Sequence, residues 1–128
     1  MPLRSKDKRN FKTSLKDCFN GLEFVITNED NFKREIILGM IALVMCLLLK
    51  VSTIEFIIVI IVISLVLVCE VINTAIEKTV DLCTKEYNET ARIAKDVSAF
   101  AVLTMSIFSL VIGIIIFMPK IITLIGGK

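Results

Sequence analysis

Residues 56 to 81, "FIIVIIVISLVLVCEVINTAIEKTVD", change character part-way. Fourteen uncharged residues end at Cys69, and Glu70, Asn73, Glu77 and Asp81 follow. At 100° per residue an α-helix gathers those four polar side chains within an arc of about 80°, so they form one stripe on one face. The fifteen residues from Glu55 to Glu70 climb roughly 22 Å at 1.5 Å each, which leaves Glu70 just inside an apolar slab about 30 Å thick. Glu77 then lies about 10 Å further on, near the headgroups. An ionisable group at that depth is costly, and its default reading is functional.

The rest of the chain fits this membrane reading. Of its 128 residues 55% are hydrophobic, and the mean hydropathy of +0.82 lies well above the soluble range. The expected fold is an all-α membrane protein with an N-terminal interfacial amphipathic helix and three transmembrane helices, forming one domain over 1–128. The polar start, 1–10, is expected to be flexible. Over 11–28, Phe11, Leu15, Cys18, Phe19, Leu22, Val25 and Ile26 recur at helical spacing opposite Lys12, Lys16, Asp17 and Glu23, the pattern of a helix lying in the interface plane. The spans are expected at 32–50, 54–82 and 93–118, the first of them short. Thr27 or Asn28 is the expected N-cap of the first span, "KVSTIE" (50–55) a tight turn, and Pro119 the end of the third span.

Eight Lys or Arg lie in residues 1–35 and four in 78–95, against Lys50, Lys120 and Lys128 elsewhere. The positive-inside rule then places the N-terminus and the 83–92 connection in the cytoplasm. No cleaved leader is expected, because charge and hydrophobe alternate through the first thirty-five residues. The formal net charge of +2 implies no nucleic-acid partner. The four cysteines have no C-x-x-C spacing and the chain has no histidine, so a Cys/His zinc site is not expected and the cysteines read as small buried hydrophobes.

Desolvation raises the proton affinity of carboxylates in general, and a base at the interface can reach a lipid hydroxyl while the tails stay in the bilayer. Glu77 and Glu29, both at the cytoplasmic edge, offer hard oxygens for a cation such as Mg2+ shared with nucleotide phosphates. Lys95 and Asp96 enter the third span from the same side and add one cation and one acceptor. The constellation suits phosphoryl transfer at a membrane surface, although no Walker A loop, G-x-G-x-x-G or kinase catalytic loop is present. A small oligomeric proton-coupled transporter would use a membrane glutamate equally well. The plainest alternative is that Glu70 pairs with Lys95 or Arg92 to hold helices together.

"EVINTAIEKTVD", "EYNETARIAKD" and "SAFAVL", preceded by "NGLEFVITNEDNFKRE", resemble the signature of the small prokaryotic diacylglycerol and undecaprenol kinases over about residues 16 to 105. The resemblance implies a homotrimeric kinase of the bacterial inner membrane, with active sites shared between subunits, that moves the γ-phosphoryl of MgATP to a lipid hydroxyl. Carried over, Glu70 is the general base and Glu29 and Glu77 bind the metal. Asn73, Glu86, Tyr87, Asn88, Lys95 and Asp96 hold nucleotide, Phe32, Glu35 and Ser98 meet lipid, and Asp81 supports the site. This chain departs from the family at Asn88, where histidine is common, and at Ser98 and Phe100, where side chains are usually smaller. "NEDNFKRE" is more similar to the diacylglycerol kinases, so diacylglycerol is the expected acceptor and undecaprenol the alternative.

Overall fold

The computed structural model describes residues 10–127, and the expected flexible start lies outside them except for Asn10. Four helices make up the described chain: α1 (Phe11–Asn28), α2 (Asp30–Leu48), α3 (Thr53–Cys83) and α4 (Glu89–Ile125), with no strand among the described residues. α3 packs against both α2 and α4, while α1 touches α2. Two helices, α3 and α4, are long and apolar enough to cross a membrane. α2 carries Asp30, Lys33, Arg34 and Glu35 in its first six residues, and only its later part is uniformly apolar.

A single residue separates α1 from α2. Glu29 has extended backbone (φ −110°, ψ 103°) yet keeps both helices closely joined, its N–H donating to the Val25 carbonyl at 2.9 Å. The expected caps are not used as caps. Thr27 and Asn28 donate back to the carbonyls of Glu23 and Phe24, in competition with a forward cap. Glu29 occupies the N-cap position with no side-chain cap bond, which leaves its carboxylate available.

At the opposite end the α2–α3 turn is tight, as its sequence predicts. Lys50 takes a left-handed φ of 49°, and Ser52 and Glu55 form a reciprocal capping box. Glu55 also pairs with Lys120 of α4 at 3.0 Å, while Asp81 near the other end of α3 pairs with Lys95 at 2.5 Å. α3 and α4 are therefore clipped near both ends. Between these clips Cys46, Val59 and Ile116 form the buried core, with Ala42, Phe56 and Ile63 against it. At Gly39 α2 lies tight against α3: a Cβ there would stand 2.9 Å from Ile63 Cγ2.

Three expectations need correction. Pro119 does not end the third long helix. It lies inside α4, which continues to Ile125 and gives way at Gly126 and Gly127, the latter with φ +66°. Proline removes one backbone donor, but Lys120 anchors the following turn to Glu55, and Thr123 donates to the Pro119 carbonyl at 2.9 Å. α4 also starts earlier than expected, because the Asn88 side chain accepts from the Ala91 N–H and caps it. Of the cysteines, all free, Cys46 alone is buried, and Cys18 and Cys83 are exposed.

Candidate active site

The polar stripe of α3 faces inward. Glu70 is 2% exposed, and Asn73 and Thr74 are buried beside it. α3 can carry these groups because they fall on the face covered by α2 and α4, leaving Val68, Val71 and Ile72 on its exposed side. The hinge at Glu29 brings the start of α2 over this stripe. The carboxylates of Glu29 and Glu77 lie close enough to Glu70 to act on it electrostatically, and the Asn31 carboxamide faces it as well. Glu35, about one turn further along α2 from Asn31, is also close enough to Glu70 to feel its charge.

Four acids thus converge with little compensation. Among the described residues, neither Lys95 nor Arg92 pairs with Glu70. Lys95 is bound to Asp81, and Arg92 is held by Glu89 at 2.6 Å and Asp96 at 2.7 Å. The helix-stapling role for Glu70 is therefore not realised. A buried carboxylate without a counter-charge is expensive, and its persistence points to a proton or a ligand that completes it.

α4 supplies the other wall. Ser98, buried, donates to Asn73 Oδ1 at 2.6 Å, and Asn73 Nδ2 donates to Glu77 Oε1 at 3.1 Å. Lys95, held by Asp81, also acts electrostatically on Glu77. The structure therefore brings together Glu29, Glu35, Glu70, Asn73, Glu77, Asp81, Lys95 and Ser98. Asp96 is exposed and turned toward Arg92, and Glu86, Tyr87 and Asn88 lie exposed on the linker, with the Asn88 side chain engaged as a cap. Tyr87 donates to Glu89 at 2.6 Å. On this polar first turn, ahead of the apolar part of α4, Arg92 and then Tyr87 hold the Glu89 carboxyl below its ordinary range.

Two neighbours escaped the sequence reading. Thr74 lies about 40° around the helix from Glu70, so the same angular arithmetic could have found it, and its hydroxyl is buried without a partner. Asn31 comes to the site only through the bend at Glu29, which no local pattern foretells.

Below the acids an apolar cavity of about 490 Å3 runs between α2, α3 and α4. Glu35 stands at its wall, and one of its carboxylate oxygens, Oε2, is buried without a hydrogen bond. Ser106 and Ser109 also line the cavity, but they donate to the carbonyls of Val102 and Ser106. Phe32 is buried, and neither it nor Ser98 lines this cavity.

A magnesium ion needs several hard oxygens at once. Among the described residues no three acidic side chains converge tightly enough to hold a metal by themselves. Glu29 and Glu77, which both act on Glu70, are hard-oxygen donors of the kind such an ion takes, and an ion held there would draw its remaining oxygens from phosphates or water.

The family model described as prokaryotic diacylglycerol kinase matches residues 16–117, which takes in every site residue named above. The chain belongs to the prokaryotic diacylglycerol kinase family. An undecaprenol kinase of Bacillus subtilis (strain 168) is 36% identical over 120 residues, covering 91% of this chain and 98% of that protein. A diacylglycerol kinase of Synechocystis sp. is 29% identical over 116 residues, 90% of this chain and 66% of that protein. The diacylglycerol kinase of Escherichia coli (strain K12) is 33% identical over 93 residues, 73% and 76%. As a prokaryotic diacylglycerol kinase family member the chain is a lipid kinase of the membrane, not a nucleotide-free transporter. Such kinases carry out ATP-dependent phosphoryl transfer, as a rule with a divalent metal.

Proposed function

We propose that this kinase phosphorylates undecaprenol at the cytoplasmic face of the bacterial inner membrane, with Glu70 as general base. The observation that carries the reading is Glu70 itself, buried without a counter-charge near the carboxylates of Glu29 and Glu77 and near Glu35, which stands on the wall of an apolar cavity. The lipid chain occupies the cavity and its hydroxyl meets Glu35 and Glu70. Glu70 takes the hydroxyl proton as the lipid oxygen bonds to the γ-phosphorus of ATP, and the bond to the β,γ-bridging oxygen breaks to release ADP. Mg2+, when bound, neutralises phosphate charge. Glu29 and Glu77 are the chain's ligands for it, Lys95 faces the phosphates, and Asp81 holds Lys95 in place. Asn73 and Asp96, with the exposed Glu86–Asn88 linker, border the nucleotide.

Two observations support a polyprenol. The alignment with the B. subtilis undecaprenol kinase runs through 98% of that protein. The cavity's serines already donate to backbone carbonyls, so they leave no hydroxyl donor for the ester carbonyls of a diacylglycerol, whereas a polyprenol has only its hydroxyl to satisfy. Diacylglycerol is the second reading, favoured by the "NEDNFKRE" segment and by the E. coli and Synechocystis relatives.

α1 lies in the interface, the apolar part of α2 makes the third crossing beside α3 and α4, and the N-terminus is cytoplasmic. Three chains assemble and share their active sites, which accounts for the many large apolar side chains exposed on a single copy, Leu47, Leu48 and Leu110 among them. The test is to give purified protein labelled ATP, Mg2+ and either undecaprenol or diacylglycerol in separate mixed micelles. Label in undecaprenol is expected to exceed label in diacylglycerol by at least tenfold. The reverse order replaces the acceptor, and label in neither overturns the lipid-kinase mechanism proposed for this site.

A further inference from the structure

The contact between Ser98 and Asn73 joins α4 to α3, twenty-five residues apart in sequence, inside the buried polar cluster. A serine hydroxyl has one hydrogen to give. Ser98 Oγ has two acceptors within reach, Asn73 Oδ1 at 2.6 Å and the carbonyl of Lys95, one turn earlier in α4, at 3.0 Å. The shorter contact takes the proton. With Oδ1 engaged, the Asn73 amide presents its NH2 group to Glu77 Oε1 at 3.1 Å, the one hydrogen bond Glu77 makes among the described residues. Turned over, the same amide would set Oδ1 against a carboxylate oxygen, lone pair to lone pair.

We propose that Ser98 is a positioning residue: by fixing which way the Asn73 carboxamide points, it holds one Glu77 oxygen in a hydrogen bond and leaves the other, Oε2, for the metal. This rests on the reading of Glu77 as a metal ligand. Burial makes the role matter. Ser98 is 7% and Asn73 9% exposed, so water does not readily replace the lost hydroxyl. Partners that orient a metal ligand commonly change metal affinity by 10- to 100-fold when removed. The family resemblance implies a lipid contact for Ser98, but the structure puts its hydroxyl in the polar relay and outside the lining of the apolar cavity.

The experiment is a Mn2+ titration of the purified full chain, with and without a non-hydrolysable ATP analogue, read by loss of the free-ion electron paramagnetic resonance signal. Ser98→Ala is expected to weaken Mn2+ binding about tenfold with its thermal unfolding midpoint close to that of the unaltered chain, and Ser98→Thr, which keeps the hydroxyl, to restore binding to within about twofold. In turnover the Mg2+ requirement rises more than kcat falls. Should Ser98→Ala fail to fold, Ser98→Cys, similar in size but a weak donor, is read the same way. Unchanged Mn2+ affinity in a folded Ser98→Ala or Ser98→Cys variant overturns the relay and leaves Glu77 as a ligand. An unaltered chain that binds no Mn2+ under either condition overturns the metal reading and the relay together. Normal Mn2+ behaviour with no lipid phosphorylated overturns the proposed function alone.

Discussion

Gly39→Ala is a small change with a large expected effect. The added Cβ would stand 2.9 Å from Ile63 Cγ2, whereas carbon atoms rest at roughly 3.5 to 4.0 Å. Isoleucine is stiff at χ1 in a helix, so the Cγ2 methyl does not swing away cheaply and α2 and α3 must part by about 1 Å. Overpacking of this kind costs about 1–3 kcal/mol. Gly39 follows Glu35 by four residues on α2, and Ile63 precedes Glu70 by seven on α3, so each sits on nearly the same helix face as its acid. The displacement therefore reaches the pair proposed to meet the lipid hydroxyl, and a shift of about 1 Å there can cost on the order of 100-fold in kcat/KM. The assay pairs thermal unfolding in detergent with initial rates of lipid phosphorylation. Adding Ile63→Ala to Gly39→Ala removes the clash, and much of the activity is expected to return even though the double variant stays less stable than the unaltered chain. A Gly39→Ala protein as stable and as active as the unaltered chain refutes the argument that this contact spaces Glu35 and Glu70.

Replacing Glu29 by Gln removes one of the two carboxylates proposed for the metal, and the Mg2+ concentration for half-maximal rate at fixed ATP is expected to rise at least tenfold, measured by Mg2+ titration of the initial rate. Asn88→Ala removes the α4 cap at a cost of about 1 kcal/mol, seen as a lower unfolding midpoint and faster proteolysis within 84–88. The Glu89 carboxyl lies below its usual range because of Arg92 and then Tyr87. The contribution of this contact is therefore complete above the unfolded value of about 4.3 and is lost as pH falls through the lower folded value. Protease resistance of the 84–88 linker is expected to drop under those acid conditions, and Glu89→Gln to flatten the dependence.

The stripe on α3 was readable in the sequence because it follows from a 100° repeat, and so was the tight turn at 50–55, whereas the inward direction of the stripe and the capping box between Ser52 and Glu55 came only with the fold. The helical repeat from Phe11 to Ile26 lies within α1, which runs on to Asn28. What was not readable depends on contacts across the fold. Thr27 and Asn28 had two ways to satisfy backbone groups, and the choice of the backward one left Glu29 as an uncapped hinge. Pro119 would stop an isolated helix, but the pairing of Lys120 with Glu55, sixty-five positions away, keeps α4 going. Lys95 and Arg92 were both candidate partners for Glu70, and only the fold assigns them to Asp81, Glu89 and Asp96. Family membership supplied the kinase activity, which no nucleotide signature in the chain discloses.

The central claim, that Glu70 accepts the proton of a lipid hydroxyl, is tested most directly by Glu70→Gln, because the carboxamide keeps the size of the side chain and removes the base. The rate of ATP-dependent undecaprenol phosphorylation is expected to fall by about 100- to 10,000-fold, while the unfolding midpoint and the oligomer stay as they were or improve, since a buried charge without a partner has been removed. A Glu70→Gln protein that phosphorylates lipid within about tenfold of the unaltered rate contradicts the account.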